Sequence, residues 1–558
     1  MQLPVTDKPT VNSITTTVGE YLVSQLKAVG VRHVFGVPGD YVLDLMDVIV
    51  ESSIELVGTC NELNAGYAAD AYARLNGVSA LCVTYGVGGL SVVNALAGAY
   101  AEEVPIIVIS GAPRTSAKGN NLLMHHTTGD YNLQLSILEK VTVAAVTLTN
   151  AEQAPAQIDR TIAACLRYKR PVYIEIPADM VAQPCTMPLS FERPNPVVSD
   201  VQALNEAINE AVEWLENSEH PVILAGVELH RYGIQKKLHQ LVEITGYPIT
   251  STLLGKSSIS ELHPQFIGNY VGALSRDYVK NRVETADCIL CLGAIMSDTN
   301  LGGYTAQLKE SQLINANSLK VKIKHHYYSP IDLGDFIDGL IAKLSRKSSE
   351  SLDIQPAAEL LSKSFEVQPE QKITNARFYE RMNHFVGDNS TVIAETGDAI
   401  IATIDLLIHA DTRFIGQAFY MSIGYSLPAC LGAALARRQN RVILFIGDGS
   451  FQMTCQELST IIRLGLNPII FLINNDGYTI ERMIHDGSYN DIQPWKYHQL
   501  PQVFGESLSC QVRTEGDLEK ALEMAAKNRD QLCFIEVHLD RFDCCETLAR
   551  LTQAVRRN

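Results

Sequence analysis

Short apolar runs, each closed by a turn and followed by a helix-length amphipathic stretch, recur along the chain. VRHVFGVPGD, IELVGTC, SALCVTYG, VPIIVISG and RPVYIEIP form a first series. PVILAGVEL, YPITSTLLG and ADCILCLGA form a second, and STVIAETG, RVILFIGDGS, NPIIFLINNDG and QLCFIEVHL a third. These runs are nearly continuous in apolar residues rather than alternating, which predicts parallel strands covered by helices on both faces. Two polar, proline-containing stretches, residues 183–200 and 345–360, separate the series and read as linkers. The expected architecture is α/β, with three doubly wound parallel-sheet domains over residues 1–190, 200–345 and 365–558. No low-complexity tract or short tandem repeat interrupts it. In such sheets ligands bind beyond the carboxyl ends of the strands, so the residues just after each apolar run carry the functional information.

Composition narrows the class without naming a reaction. The 558 residues are 46% hydrophobic and 19% charged, the profile of a globular enzyme. A formal net charge of -17 argues against nucleic acid, whose phosphates need clustered Lys and Arg. No stretch offers about 18 uncharged apolar residues, so no membrane span is expected. The start, MQLPVTDKPTVNS, lacks the basic-then-apolar pattern of a secretory signal. Twelve cysteines are scattered, mostly inside apolar runs, which suits buried thiols and a cytoplasmic location. Cys288 and Cys291 form a C-x-x-C inside a strand-like run with no second pair, so core packing is expected of them.

The third series carries a paired motif. RVILFIGDGSFQMTCQELSTII reads as strand, tight Gly-Asp-Gly-Ser turn and helix, where glycines and a helix N-terminus favour an anion. Asp448 in that turn would repel bare phosphate, and belongs there only with a divalent cation between. The next strand ends in Asn474, Asn475, Asp476 and Gly477. Asp448 and Asn475 stand 27 residues apart, one helix and one strand, so both emerge at the same sheet edge. One carboxylate, one amide oxygen and one backbone carbonyl, completed by diphosphate and water, suit octahedral Mg2+. GDG and NNDG are each often mere turns. Paired at this spacing they resemble the thiamine-diphosphate motif, GDG followed some two dozen residues later by NN. Neither a Walker-type G-x-x-x-x-G-K-[ST] nor a dinucleotide G-x-G-x-x-G is present.

That cofactor needs a carboxylate to hold its pyrimidine ring protonated, so that its own amino group can deprotonate the thiazolium carbon. Glu62, opening the small-residue stretch ELNAGYAADAYAR, fits the demand; taken alone it would be a first-turn glutamate behind an Asn61 cap.

CNELNAGYAADAYAR, GVPGD, the pair His125–His126, GDGS with INNDGYTIE, and MSIGYSLPACLGAALA together resemble the pyruvate decarboxylase family. That family includes the indolepyruvate, phenylpyruvate and branched-chain 2-oxo acid decarboxylases, and the likeness covers nearly the whole chain. The resemblance implies the thiamine-diphosphate-binding fold, two cofactor domains flanking a Rossmann-like centre. It also implies non-oxidative decarboxylation of a 2-oxo acid to an aldehyde and CO2 through an enamine. By motif, Glu62 would activate the pyrimidine, while Asp448, Asn475 and the Gly477 carbonyl would bind Mg2+. Gly449, Ser450 and the turn through Tyr478, Thr479 and Ile480 would embrace the diphosphate. In Met421-Ser422-Ile423, the Met421 carbonyl would receive the cofactor amino group and Ile423 would wedge between its rings. Asp398 falls where yeast-type relatives have a hydroxyl contacting the diphosphate, and a carboxylate there must turn aside or bond backbone.

Asp40, His125, His126 and Glu481 match the family's acid–base residues, and two histidines with two carboxylates can relay the protons of such a reaction. The second pair, His325–His326, matches no family motif. Thr299 falls where pyruvate-specific relatives carry a bulky aromatic. With Thr396, Ile400, Ile480 and Ile484 it would line a widened apolar substrate pocket, favouring branched-chain or aromatic 2-oxo acids. Pyruvate decarboxylation proper, carboligation of the acetolactate synthase type and a non-catalytic scaffold are the competing readings. Because the family's cofactor bridges two chains, the resemblance implies a homodimer or a homotetramer.

Overall fold

The structure, a computed structural model, describes residues 15–187, 198–346, 352 and 354–555. Both linker stretches fall partly outside the described residues, and MQLPVTDKPTVNS wholly so. Each hydrophobic series yields a sheet. The first has six parallel strands in the order Glu55–Gly58, His33–Gly36, Ser79–Val83, Ile106–Ala112, Val172–Pro177, Ala145–Thr147. The third, also all parallel, runs Arg413–Gly416, Ser390–Ala394, Arg441–Gly447, Ile469–Asn474, Cys533–His538, Leu508–Val512. Numbered within its own sheet, each has the order 2-1-3-4-6-5. One topology is thus used twice, although no sequence repeat announces it.

The central sheet departs from the all-parallel expectation. Phe266–Asn269, Ile249–Ser251, Pro221–Ala225, Cys288–Leu292 and Leu313–Asn317 are parallel, but Lys320–Ile323 and His326–Tyr328 turn back antiparallel. Only Ser318 and Leu319 join Leu313–Asn317 to its neighbour, too few residues for a parallel crossover. The Cys288 and Cys291 side chains sit in different core clusters, because an odd separation puts them on opposite faces of one strand. They cannot pair or share a metal.

The chain falls into two compact units. Residues 1–66, 78–96 and 105–195 form the first, and residues 67–77, 97–104 and 196–558 the second. The first closes over one core, in which Val34, Ile107, Ile109 and Ile174 are fully buried. The second holds both remaining sheets, and they share a core: Val227, Leu253, Leu254, Val271 and Leu274 cluster with Val392, Phe445 and Phe471. A buried ion pair reinforces the junction. Lys256 Nζ donates to both Glu261 oxygens (3.0 and 2.9 Å) and to the Leu406 carbonyl (2.9 Å), while Glu261 Oε2 accepts the Ile408 N–H (3.0 Å). With every charge so satisfied the pair is tolerated, and removing one partner would cost about 3–5 kcal/mol. Among the described residues no helix is long and apolar enough to cross a membrane.

Candidate active site

The strand Arg441–Gly447 is a run of β-branched and aromatic residues between two neighbours, and the helix Asp448–Thr454 begins at once beyond it. Asp448 is therefore delivered to the sheet's carboxyl edge nearly buried, at 1% exposure. Its Oδ1 accepts the Gly449 N–H (2.8 Å) and its Oδ2 the Gly477 N–H (3.1 Å). Burial still pushes its carboxyl up to about 7, so the fold supplies less positive potential than an ionised carboxylate needs. The Asn475 amide oxygen lies 3.3 Å from Asp448 Oδ1 and 3.0 Å from the Gly477 carbonyl oxygen. Three acceptor oxygens thus converge. Neighbouring ligands in an octahedron with Mg–O of about 2.0–2.1 Å stand roughly 2.9 Å apart, so this donor set fits Mg2+. The other end of the amide faces the Thr479 hydroxyl at 2.8 Å, and that hydroxyl donates to the Arg541 carbonyl (3.2 Å). Without a cation the amide would turn over and donate to Asp448 and Gly477 instead.

A cavity of about 520 Å³ opens beside these oxygens. Asp448, Gly449, Ser450, Asn475, Gly477, Tyr478, Thr479, Ile480 and Glu481 line one side, and Thr396, Asp398, Met421 and Ile423 another. Two glycines are obligatory here. A Cβ on Gly449 would stand 2.5 Å from the Tyr478 ring, and one on Gly477 (φ +124°) 2.3 Å from the Asn490 carbonyl. Met421 holds φ 57°, a left-handed conformation that costs a non-glycine residue about 1–3 kcal/mol and gathers at ligand sites. Ser422 sits in the same turn without lining the cavity; its N–H donates to Gln417 Oε1 and its hydroxyl bonds Tyr67.

Three expected pocket residues do not reach the cavity wall. Ile400 is 1% exposed and packs beneath Gly416, whereas Ile484 is 74% exposed. Thr299 is held in its own turn by Ser297 Oγ (2.9 Å) and Asp298 Oδ1 (2.8 Å). Asp398 resolves its cost as the sequence requires. Oδ1 accepts the Cys545 N–H (3.2 Å) and Oδ2 the Asn375 amide (2.5 Å), and burial raises its carboxyl above the usual range. Asn474 donates to Glu536 Oε1 (2.7 Å), and Asp476 is exposed, so neither joins the oxygen cluster.

Two residues missed in the sequence hold this site together. The buried Arg482 donates to the carbonyls of Asn475 (3.4 Å), Asp476 (2.5 Å) and Asn490 (3.2 Å) and pairs with Asp491, clamping the metal loop from behind. Glu395, fully buried, accepts the Thr396 N–H (2.9 Å), the Ser426 N–H (3.0 Å) and the Ser426 hydroxyl (2.7 Å). Burial lifts its carboxyl to about 7. Glu395 thereby ties a cavity wall to the start of the helix Ser426–Ala436, just past Met421 and Ile423. The only signal for either residue was a charge inside an otherwise apolar or turn motif.

In the first unit the same sheet edge carries the other expected groups. Glu62 is the first residue of the helix Glu62–Asn76, and the Asn61 side chain caps that helix by accepting the Asn64 N–H (2.8 Å). The capping geometry and a cofactor role coexist, since the cap uses Asn61 and leaves Glu62 partly exposed. Asp40 follows the strand His33–Gly36, and His125 and His126 follow Ile106–Ala112. His125 Nε2 meets Asp40 Oδ2 at 2.6 Å with both side chains about half exposed. Tyr41 stacks on the His125 ring at 4.7 Å, and His126 stands T-shaped to His125 with φ 61°. His326 is only a surface partner of Glu210 (3.0 Å).

Three family descriptions match the chain in order: thiamine pyrophosphate enzyme, N-terminal TPP binding domain, over residues 16–135; its central domain over 208–340; and its C-terminal TPP binding domain over 391–537. A pyruvate decarboxylase of Aspergillus fumigatus is 38% identical over 557 residues, 96% of each chain. An alpha-keto-acid decarboxylase of Mycobacterium leprae is 35% identical over 549 residues, 96% of this chain and 95% of the relative. Pyruvate decarboxylase 1 of Pisum sativum is 38% identical over 550 residues, 95% and 92% of the two chains.

Proposed function

This chain belongs to the thiamine-diphosphate-dependent 2-oxo acid decarboxylases, and on that premise we propose how its own residues divide the work. The enzyme converts a 2-oxo acid to an aldehyde and CO2, and thiamine diphosphate when bound supplies the carbon that accepts the electrons released by decarboxylation. Asp448, Asn475 and the Gly477 carbonyl would hold Mg2+, and Gly449, Ser450 and the Tyr478–Ile480 turn would bind the diphosphate. The observation that carries this is the convergence of three buried acceptor oxygens, the Asn475 amide oxygen lying 3.3 Å from Asp448 Oδ1 and 3.0 Å from the Gly477 carbonyl oxygen. The Met421 carbonyl would accept an N–H of the cofactor and Ile423 would pack against it; the left-handed Met421 backbone supports that role. Glu62 would accept the hydrogen bond donated by the protonated pyrimidine nitrogen. Asp40, His125, His126 and Glu481 would pass one proton to the carbon that loses CO2 and take up the proton released as the aldehyde carbonyl re-forms.

The same reading includes substrates larger than pyruvate, supported by Thr396, Ile423 and Ile480 as small or aliphatic cavity walls. It includes three domains at 1–190, 200–345 and 365–558, supported by one sheet of six or seven strands in each stretch. Assembly as a homodimer or homotetramer belongs to it too. Its support is that Val87, Leu122 and Leu123 in the first unit and Tyr420, Met453 and Ile484 in the second stand exposed. A cytoplasmic location rests on twelve free, mostly buried cysteines. The test is aldehyde release, coupled to an alcohol dehydrogenase, across pyruvate, branched-chain and aromatic 2-oxo acids with Mg2+ and thiamine diphosphate. Activity on branched or aromatic acids at least equal to that on pyruvate is expected. A strong pyruvate preference overturns the substrate assignment, and acetohydroxy acid as the main product overturns aldehyde formation.

A further inference from the structure

Gln134 lies on the short helix Leu133–Leu138, eight residues past His126, and is 2% exposed. A buried glutamine must satisfy four hydrogen-bonding positions or lose stability, so its partners define what it is for. Its Oε1 accepts the Gly86 N–H at 2.7 Å. Its Nε2 donates to the Tyr173 hydroxyl at 2.6 Å and to Ser110 Oγ at 3.0 Å. The Tyr173 hydroxyl then donates to Glu175 Oε2 (2.8 Å), whose other oxygen accepts the Thr147 hydroxyl (3.0 Å). Every proton in the series Gly86, Gln134, Tyr173 points toward Glu175. The amide orientation is therefore determined, and the bonds reinforce one another.

The turn that Gln134 grips touches the proposed reacting groups of this unit. Gly86 has φ +66°, and a Cβ there would fall 2.0 Å from the His126 carbonyl oxygen. A Cβ on Gly88 would stand 3.3 Å from Glu62 Oε1, and one on Gly89 2.3 Å from Gln134 Oε1. On the near side, Thr84 packs within 2.5–2.8 Å of where a Gly39 side chain would begin, in the turn that delivers Asp40. The stretch from Thr84 to Gly89 thus lies against Glu62, His126 and the Asp40 turn, with Gln134 behind it.

We propose that Gln134 is a positioning residue that sets the Gly86–Gly89 turn against Glu62 and His126, with Tyr173 and Glu175 as its fixed anchor. The proposal rests on the reading that Glu62 and His126 serve the decarboxylation. A misplacement of about 1 Å at such groups can cost about 10²-fold in rate. The alternative role, a self-satisfied core glutamine, would affect melting alone.

The experiment compares wild type with Gln134→Met, which keeps the volume and loses every hydrogen bond, and with Gln134→Glu, which keeps the acceptor for Gly86. Amide hydrogen exchange at Gly86 is read in the cofactor-free protein, where exchange about tenfold faster in Gln134→Met is expected. In the loaded enzyme, kcat and the solvent exchange of the reactive thiazolium hydrogen are measured. Both are expected to fall about tenfold in Gln134→Met, with KM and cofactor Kd within twofold, and by less in Gln134→Glu, which keeps the Gly86 acceptor but loses the donors to Tyr173 and Ser110. Faster Gly86 exchange with kcat and thiazolium exchange unchanged would overturn the proposal and leave a structural glutamine. If Gln134→Met does not fold, Tyr173→Phe carries the same expectation at about threefold, and an unchanged kcat there has the same overturning force. Wild type that releases no aldehyde from any 2-oxo acid sinks the functional reading itself, a result separable from the Gly86 exchange.

Discussion

The first and third sheets share one strand order and use it differently. In each, the residues of interest follow the first four strands in sheet-local numbering, at the carboxyl edge where doubly wound sheets bind ligands. In the third sheet the groups after the third and fourth strands, Asp448, Asn475 and Gly477, are buried and braced by backbone N–H donors and by Arg482. In the first, the group after the first strand, Asp40, and the group after the fourth, His125, are each about half exposed within one chain. One edge is an anchor fixed in advance; the other holds its ionisable groups by few contacts, in water. The lesson is that the fold supplies the edge, and the loops decide whether that edge holds or reacts. An anchor gains from rigidity before binding, whereas proton-transfer groups need their final desolvation only when the site is complete.

The largest test of this contrast strikes the anchor. Asp448→Asn removes the carboxylate proposed as the charged Mg2+ ligand, and chelation removes the ion. Each is expected to lower turnover by about 10³-fold or more through lost cofactor binding, read by titration calorimetry with thiamine diphosphate, with Mg2+ restoring only the chelated wild type. Cofactor binding undiminished in Asp448→Asn would break the anchor assignment. Glu62→Gln should separate the two edges. Turnover is expected to fall about 10²–10⁴-fold with cofactor Kd within threefold, because the carboxylate acts in proton handling rather than in holding. Full activity in that variant would return Glu62 to a first-turn helix residue.

The smallest effect is a slope. Glu395 titrates near 7 in the folded protein, above its unfolded value of about 4.3, because burial disfavours its charge. Stability from this group is therefore fullest below about pH 4.3 and is lost as pH rises through about 7, by up to about 3 kcal/mol. In Glu395→Gln that loss cannot occur. Melting of the cofactor-free variant is expected to fall less steeply between pH 5 and 8 than that of wild type, whatever its absolute value. Parallel slopes would show that Glu395 is ionised throughout.

Much of this was legible in the chain. The interior parallel strands of the first and third sheets, and Pro221–Ala225, Ile249–Ser251 and Cys288–Leu292 of the central one, stand out as apolar runs, since strands covered on both faces need them. Ala145–Thr147, Phe266–Asn269, Arg413–Gly416 and Leu508–Val512 escaped notice because they lie at sheet edges, with shorter or more mixed sequences. Leu313–Asn317 and Lys320–Ile323 escaped because they alternate instead of running apolar, and His326–Tyr328 because it is a short, largely exposed edge. Local motifs marked Glu62, Asp448, Asn475 and the histidine pair, because turn chemistry and ligand chemistry are both written within a few residues. Thr299, Ile400 and Ile484 were matched by position in a motif, but whether a side chain reaches a cavity depends on what else packs there.

By itself, then, the sequence determined the fold class, the cofactor motif and the charged groups at strand ends. These rest on periodicity and short-range turn geometry, which a linear pattern carries. The tertiary structure alone decided that the central and third sheets share a core with the Lys256–Glu261 pair inside it. It also decided that Arg482, Glu395 and Gln134 stand behind the site residues. Those are contacts between residues tens to hundreds of positions apart or set by a local fold-back, and their energy comes from burying polar groups with matched partners. No local pattern encodes such a match, because it exists only once the chain has closed around it.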